Sequence, residues 1–203
     1  MKNKRGEISN NILAILLVIA IVIGLIGFFI PKKIVGKVTD TGALQVTVSE
    51  LTAINFTDDV INWGTGNVKE GYTYCEMDTE GNMGSGCEGF TNQNNGFTIE
   101  NIGNVDVILQ LATGKNADEL IGGSNPLYQY KVVEAESGSC DGLYPSTYTN
   151  VNSTSPGDTI CSAFYAEDRM DSVYIHVKVR IPSDAPPGTK SDTFTATATY
   201  VGG

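Results

Sequence analysis

Residues 12–30 form an almost unbroken apolar run, and no charged residue falls between Glu7 and Lys32. Such a stretch has few places to go. At ~1.5 Å per residue, roughly 20 helical residues cross the ~30 Å of bilayer hydrocarbon. An open segment satisfies its backbone polar groups there only as a helix. The expectation is one long N-terminal hydrophobic α-helix over residues 7–31, with Gly24 and Gly27 near its end and Pro31 closing it. A removed secretory signal fits less well. The run is long for such a signal, and Phe28-Phe29-Ile30-Pro31-Lys32-Lys33 offers no small-x-small cleavage site. Lys2, Lys4 and Arg5 precede the run and Lys32, Lys33 and Lys37 follow it, so the positive-inside count is nearly balanced. The disulfide and glycosylation signals downstream place the C-terminal part outside the cell.

The rest of the chain has a different character. Gly is abundant, at 23 of 203 residues, and Thr, Asn and Ser are frequent. This composition favours short strands and many turns over a helical bundle. Lys2, Lys4 and Arg5 against Glu7 leave +2 in residues 1–30, so the remainder carries −12 of the formal net charge of −10. An acidic domain of this kind is soluble and has no means of gripping nucleic-acid phosphates.

Period-two alternation marks the strands. Residues 32–43 read as a linker, and residues 44–203 as one all-β domain. Leu44, Val46 and Val48 alternate with Gln45 and Thr47. Val60-Ile61-Asn62-Trp63 runs into a glycine turn. Residues 97–101 and 105–112 read as a hairpin about Gly103-Asn104. Asn116 to Ile121 suits one short helical turn. Leu127 to Val133 carries Tyr128 and Tyr130 on one side. In residues 173–181 the odd positions from Val173 to Ile181 face a core, and Tyr174, His176, Lys178 and Arg180 face out. Phe194, Ala196, Ala198 and Tyr200 alternate with threonines in the last strand. Seven or more such strands predict an immunoglobulin-like β-sandwich. The stretch from Glu100 to Val105, and the turn from Ile181 to Gly188 with its Thr-rich strand, resemble prokaryotic immunoglobulin-like surface domains.

All four cysteines lie in this domain. An even number in an extracellular setting implies two disulfides, and four cysteines allow three connectivities. The favoured pairs are Cys75–Cys87 and Cys140–Cys161, each bracketing a turn-rich insertion. No Cys-x-x-Cys occurs and only one histidine exists, which argues against zinc. Asn55-Phe56-Thr57 and Asn152-Ser153-Thr154 are N-glycosylation sequons, with Asn55 and Asn152 as acceptors. Residues 78–82, and Glu167, Asp168 and Asp171, gather oxygens at short spacing without matching a calcium loop. Trp63 ends an apolar run and suits core packing. His176 faces outward with no signalled base partner, and no nucleophile or phosphate-cradling motif appears. The reading is a non-enzyme with no metal and no cofactor.

The start of the chain reads Lys4-Arg5-Gly6-Glu7-Ile8-Ser9: a basic leader, a glycine and a polar lead into the apolar run. This resembles the class III signal peptide of archaeal type IV pilin-like proteins. The resemblance covers about 30 residues and implies processing between Gly6 and Glu7, with residues 1–6 removed. Bacterial type IV pilins carry Glu at the fifth mature residue, where this chain has Asn11, so the archaeal relatives are the better match. The resemblance implies a subunit of an extracellular filament, a helical homopolymer inserted in the membrane as a precursor. Its implied partners are a prepilin-type peptidase, the pilus assembly machinery and other copies of itself, and the implied roles include adhesion. The other reading is a membrane-anchored surface protein whose sandwich binds a glycan or a protein.

Overall fold

The computed structural model describes residues 45–202. The chain divides into two compact units at Thr47/Val48, and the fold described here is that of the second, Val48–Gly203. Its strands are β1 (Ile54–Asp58), β2 (Asn67–Val68), β3 (Tyr74–Asp78), β4 (Cys87–Glu88), β5 (Phe97–Asn101) and β6 (Val107–Thr113). After a short helix α1 (Ala117–Leu120) come β7 (Leu127–Glu134), β8 (Cys140–Asp141), β9 (Thr149–Asn150), β10 (Asp158–Phe164), β11 (Ser172–Pro182) and β12 (Phe194–Tyr200). Two sheets form a sandwich. One has the order β1-β5-β11-β7-β9, with β3 also on β11, and the other the order β12-β6-β10-β8. A two-stranded ribbon joins β2 to β4.

β11 organises the larger sheet. Its 11 residues span about 36 Å at the usual strand rise. One edge pairs with β7 from Val173 to Arg180. The other is shared, with β5 taking Ser172 to Ile175 and β3 taking Lys178 to Pro182. The alternation expected for this strand holds: Val173, Ile175, Val177 and Val179 are buried. They divide between two apolar clusters. Val173 and Ile175 join Ile99, Leu109, Tyr130, Ile160 and Phe164 between the sheets. Val177 and Val179 join Cys75, Met77, Ile121 and Tyr128, with Trp63 and Phe90 packed against them.

The expected fold needs correction. An immunoglobulin-like sandwich preceded by a long N-terminal hydrophobic helix is not what the described residues show. Their one helix is the four-residue α1, and none is long and apolar enough to cross a membrane. The segment 7–31, the leader 1–6 and the linker 32–43 lie outside the described residues. The sandwich is built from six-stranded and four-stranded sheets with an added ribbon, instead of the seven-strand immunoglobulin pattern.

Three local expectations also change. Residues 45–53 contain no strand, and neither do residues 60–63. The hairpin expected over 97–112 does not form, because β5 belongs to the larger sheet and β6 to the smaller one. The turn between them crosses from layer to layer, held by the buried Asn101 side chain. Its amide donates to the Val105 and Phe164 carbonyls at 3.1 and 3.0 Å, and its Oδ1 accepts from the Gly103 N–H at 3.1 Å. Finally, the two insertions are not merely decoration. The first supplies β3 to the larger sheet and the second supplies β10 to the smaller one.

Candidate functional site

Among the described residues, the outward face of β11 gathers the ion pairs and the cation–ring contacts. Alternation that turns valines inward on this strand turns Tyr174, His176, Lys178 and Arg180 outward. Register then sets their neighbours: Glu76 beside Arg180, Asp78 beside Lys178, and Lys131 beside His176. The short β9 brings Tyr148, the residue before it, onto the same face beside Lys131.

Glu76 is one hub of this face. Its Oε2 accepts from Arg180 Nε and Nη2 at 2.9 and 2.7 Å, and its Oε1 lies 2.8 Å from Lys178 Nζ. Burial pushes its carboxyl up, but the hydrogen bonds and charges of Lys178 and Arg180 outweigh this and hold it below the ordinary range. The Arg180 guanidinium lies 4.7 Å from the centre of the Tyr74 ring.

Glu80 is the second hub. It pairs with Lys131 at 2.7 Å and accepts from the Tyr148 hydroxyl at 3.1 Å. The Lys131 hydrogen bond is the main reason its carboxyl is lowered. Lys131 and Lys178 both approach the Tyr148 ring, at 5.1 and 5.4 Å from its centre, so one ring stands against two ammonium groups. Burial, then Asp78 and Glu80, push the Tyr148 phenol upward. His176 sits half-buried in this row, its Nδ1 3.3 Å from Thr79 Oγ1. Burial lowers its imidazole pKa, Lys131 lowers it further, and Glu80 and Asp78 oppose the change.

Chemically this is a pinned polar surface: both carboxylate hubs are engaged by cations, and cations lie against rings. It ties β3, β11, β7 and the 142–148 loop together. Sequence reasoning found its β11 members through their alternation. It missed Glu76, Lys131 and Tyr148, and took Glu80 only as one of the oxygens of residues 78–82; their places on this face depend on pairings made by two turn-rich insertions.

The other residues singled out in the sequence fall as follows. Cys75–Cys87 and Cys140–Cys161 are both disulfides, with Cα–Cα separations of 4.6 and 5.3 Å. The first ties β3 to β4 and the second ties β8 to β10 within the smaller sheet. Asn55 is exposed on β1. Asn152 is engaged: its amide donates to Asp158 at 2.9 Å and its Oδ1 accepts from the Thr154 N–H at 2.9 Å. The Asp78 carboxylate accepts from the N–H groups of Glu80 and Asn82 and from the Asn82 amide, closing its own turn. Donors therefore occupy the position a cation would need. Asp171 lies beside Glu136, and burial followed by that carboxylate raises its pKa. Among the described residues no group of three or more His, Cys, Asp and Glu is placed to hold a metal ion. Trp63 packs against the second cluster with its indole N–H buried and without a hydrogen bond. Gly6 and Glu7 lie outside the described residues.

Comparison of the chain with protein-family models, with curated proteins and with solved structures gives no match. The two disulfides are compatible with an extracellular or secreted protein.

Proposed function

We propose that this chain is the structural subunit of an extracellular type IV pilus-like filament of the archaeal kind, polymerised through its apolar N-terminal segment. The observation that carries the reading is the sequence Lys4-Arg5-Gly6-Glu7 set directly before a run that bears no charge until Lys32. Cleavage after Gly6 by a prepilin-type peptidase removes Lys2, Lys4 and Arg5, each costly to draw through lipid. The remaining apolar surface is stable in the membrane before assembly and against other copies afterwards. A disulfide-stapled β-sandwich suits the exposed coat of such a polymer. A role in adhesion belongs to this reading.

A membrane-anchored surface protein that binds a glycan or protein is the second reading, favoured by the exposed rings of Tyr74, Tyr144 and Tyr174. N-terminal mass spectrometry on protein sheared from native cells separates the two. A chain beginning at Glu7 in a sedimentable fraction is the expected result. A chain that keeps residues 1–6 and is released only by detergent overturns the filament reading and leaves the anchored binder.

A further inference from the structure

β12 is an open sheet edge without the usual defences. Among the described residues it pairs only with β6, in unbroken register from Phe194↔Thr113 to Tyr200↔Val107. Its seven residues, Phe-Thr-Ala-Thr-Ala-Thr-Tyr, include no charge, proline or bulge, the devices that ordinarily repel a further strand. The other edges are protected. β1 has a register shift between Phe56 and Asp58 and ends in a carboxylate, while β8 and β9 are two residues long.

The apolar surface next to this edge is incompletely covered. Phe194, Ala196 and Ala198 pack against the core but are only half-buried. So are Ile54 and Phe56 of β1, although their register partners Asn101 and Ile99 are fully buried. A row of rings joins the two strands, with Phe97 5.8 Å from Phe56 and 5.0 Å from Phe194. The short alanine side chains leave room beside β12 for larger neighbours.

The same chain carries a segment that matches. Residues 45–49, Gln-Val-Thr-Val-Ser, are uncharged, rich in β-branched residues and strictly alternating, yet they belong to no strand. Val46 and Val48 are 74% and 76% exposed, more than any other large hydrophobic side chain described. Period-two alternation buries anything only when a sheet receives it. From Ser49 on the chain is fixed: the Asn104 amide donates to the Ser49 carbonyl at 3.0 Å, the Leu51 N–H donates to Asn104 Oδ1 at 2.6 Å, the Asn104 N–H donates to the Leu51 carbonyl at 3.0 Å, and the Glu50 carboxylate meets the Tyr200 hydroxyl at the end of β12.

We propose that residues 45–49 of one copy add as a strand to the free β12 edge of a second copy, turning Val46 and Val48 toward Ala196, Ala198, Ile54 and Phe56. The proposal rests on the filament reading and names a contact within it. A donor at one place and an acceptor at another form a heterologous contact, which propagates instead of closing. Every copy carries one of each, so the stoichiometry is self-matching. In sequence the donor follows the apolar N-terminal segment after the linker 32–43, so this contact would tie the coat close to the polymer's core.

The test co-expresses two full-length chains with different tags, one carrying Val46→Cys and the other Ala198→Cys. The expected result is a mixed-tag, reductant-sensitive dimer on a non-reducing gel. A single chain with both substitutions is expected to give a ladder of oligomers. A Val46→Lys chain is expected to sediment far less while keeping its melting temperature. Sedimentable protein beginning at Glu7 with no mixed-tag product overturns this proposal and leaves the filament standing. So does a linked peptide from within one chain of the double variant, because the donor then serves its own edge. Monomeric protein that retains residues 1–6 overturns both.

Discussion

The Tyr130 hydroxyl donates a 2.7 Å hydrogen bond to the Asp158 carboxylate, joining β7 of one sheet to β10 of the other. The Tyr130 ring is almost fully buried, and Asp158 also receives the Asn152 amide. A hydrogen bond to a charged group in such a setting is worth about 1.5–3 kcal/mol. Tyr130→Phe is expected to cost about 1–2 kcal/mol, since the ring still packs and only one of the carboxylate's donors is lost. Asp158→Ala is expected to cost more, because it leaves both a buried hydroxyl and a half-buried amide without an acceptor. Urea-unfolding midpoints of the two variants check the order.

The same geometry sets an alkaline limit. Burial is the main cause that raises the phenols of Tyr128, Tyr130 and Tyr148, with carboxylates at Asp192, Asp158, and Asp78 with Glu80 adding to it. Raised groups hold their protons more tightly in the folded chain. Their stabilising contribution is complete below the unfolded value of about 10 and falls as pH rises past it. These three phenolates are expected to appear together with the loss of β-sheet signal. Absorbance at the phenolate band and far-ultraviolet circular dichroism, followed through one alkaline titration, check this. Ionisation of all the tyrosines while the sheet signal is intact would contradict it.

Asn101 governs the passage between layers. Its side chain makes three hydrogen bonds in a site with almost no solvent, so Asn101→Ala strands two carbonyls and an N–H at once. The expected loss is about 3 kcal/mol. Gly103 serves the same turn by allowing close approach: a Cβ there would run into the Leu51 carbonyl oxygen. Gly103→Ala is expected to loosen the 49–53 segment more than the sandwich. Amide exchange would show this as lost protection at Asn104 with little change in β11.

The two kinds of strand in this chain explain what its sequence discloses. β7, β11 and β12 alternate over seven or more residues, so their faces are readable, and their inward residues pack against the core except at the end of β12, where Tyr200 is exposed. β3 and β10 are hidden by their surroundings. Tyr-Cys-Glu-Met-Asp alternates only weakly and is flanked by glycines, and its sheet partner is 104 residues away at Arg180. Residues 45–48, the described part of that alternation, show the opposite error, since alternation is a local property while a strand needs a partner. The hairpin expected at Gly103-Asn104 failed for a related reason: a turn signal does not say whether the chain returns within one sheet or crosses to another. The polar face of β11 was half legible, because register alone decides that Glu76 meets Arg180 and Tyr148 meets Lys131.

Glu76 connects that face to acid stability. Its depressed pKa means that its contribution is present above the unfolded carboxylate value of about 4.3 and is lost as pH falls through the folded one. Glu76→Gln keeps the shape but removes the titrating charge. The variant is expected to be less stable at neutral pH and to lose less stability between neutral and acid pH than the parent. Unfolding midpoints measured across that range check the slope, and an unchanged slope would show that Lys178 and Arg180 find other partners.

The two sequons are not equivalent acceptors. Asn55 and Thr57 are both exposed, on an edge strand whose partner lies on one side only. Among the described residues no side-chain hydrogen bond engages Asn55. Asn152 instead turns its amide to Asp158, the carboxylate that Tyr130 uses, so a sugar on that nitrogen would leave it one N–H and crowd one of the sandwich's internal ties. Glycopeptide mapping of protein from native cells is expected to find Asn55 occupied and Asn152 bare. A glycan at Asn152 in folded protein would contradict this, and the unfolding midpoint of Asn152→Ala then tells whether Asp158 needs the amide at all. An unchanged midpoint would show that Tyr130 alone holds Asp158, whereas the hydrogen bond as found predicts a loss of about 1 kcal/mol.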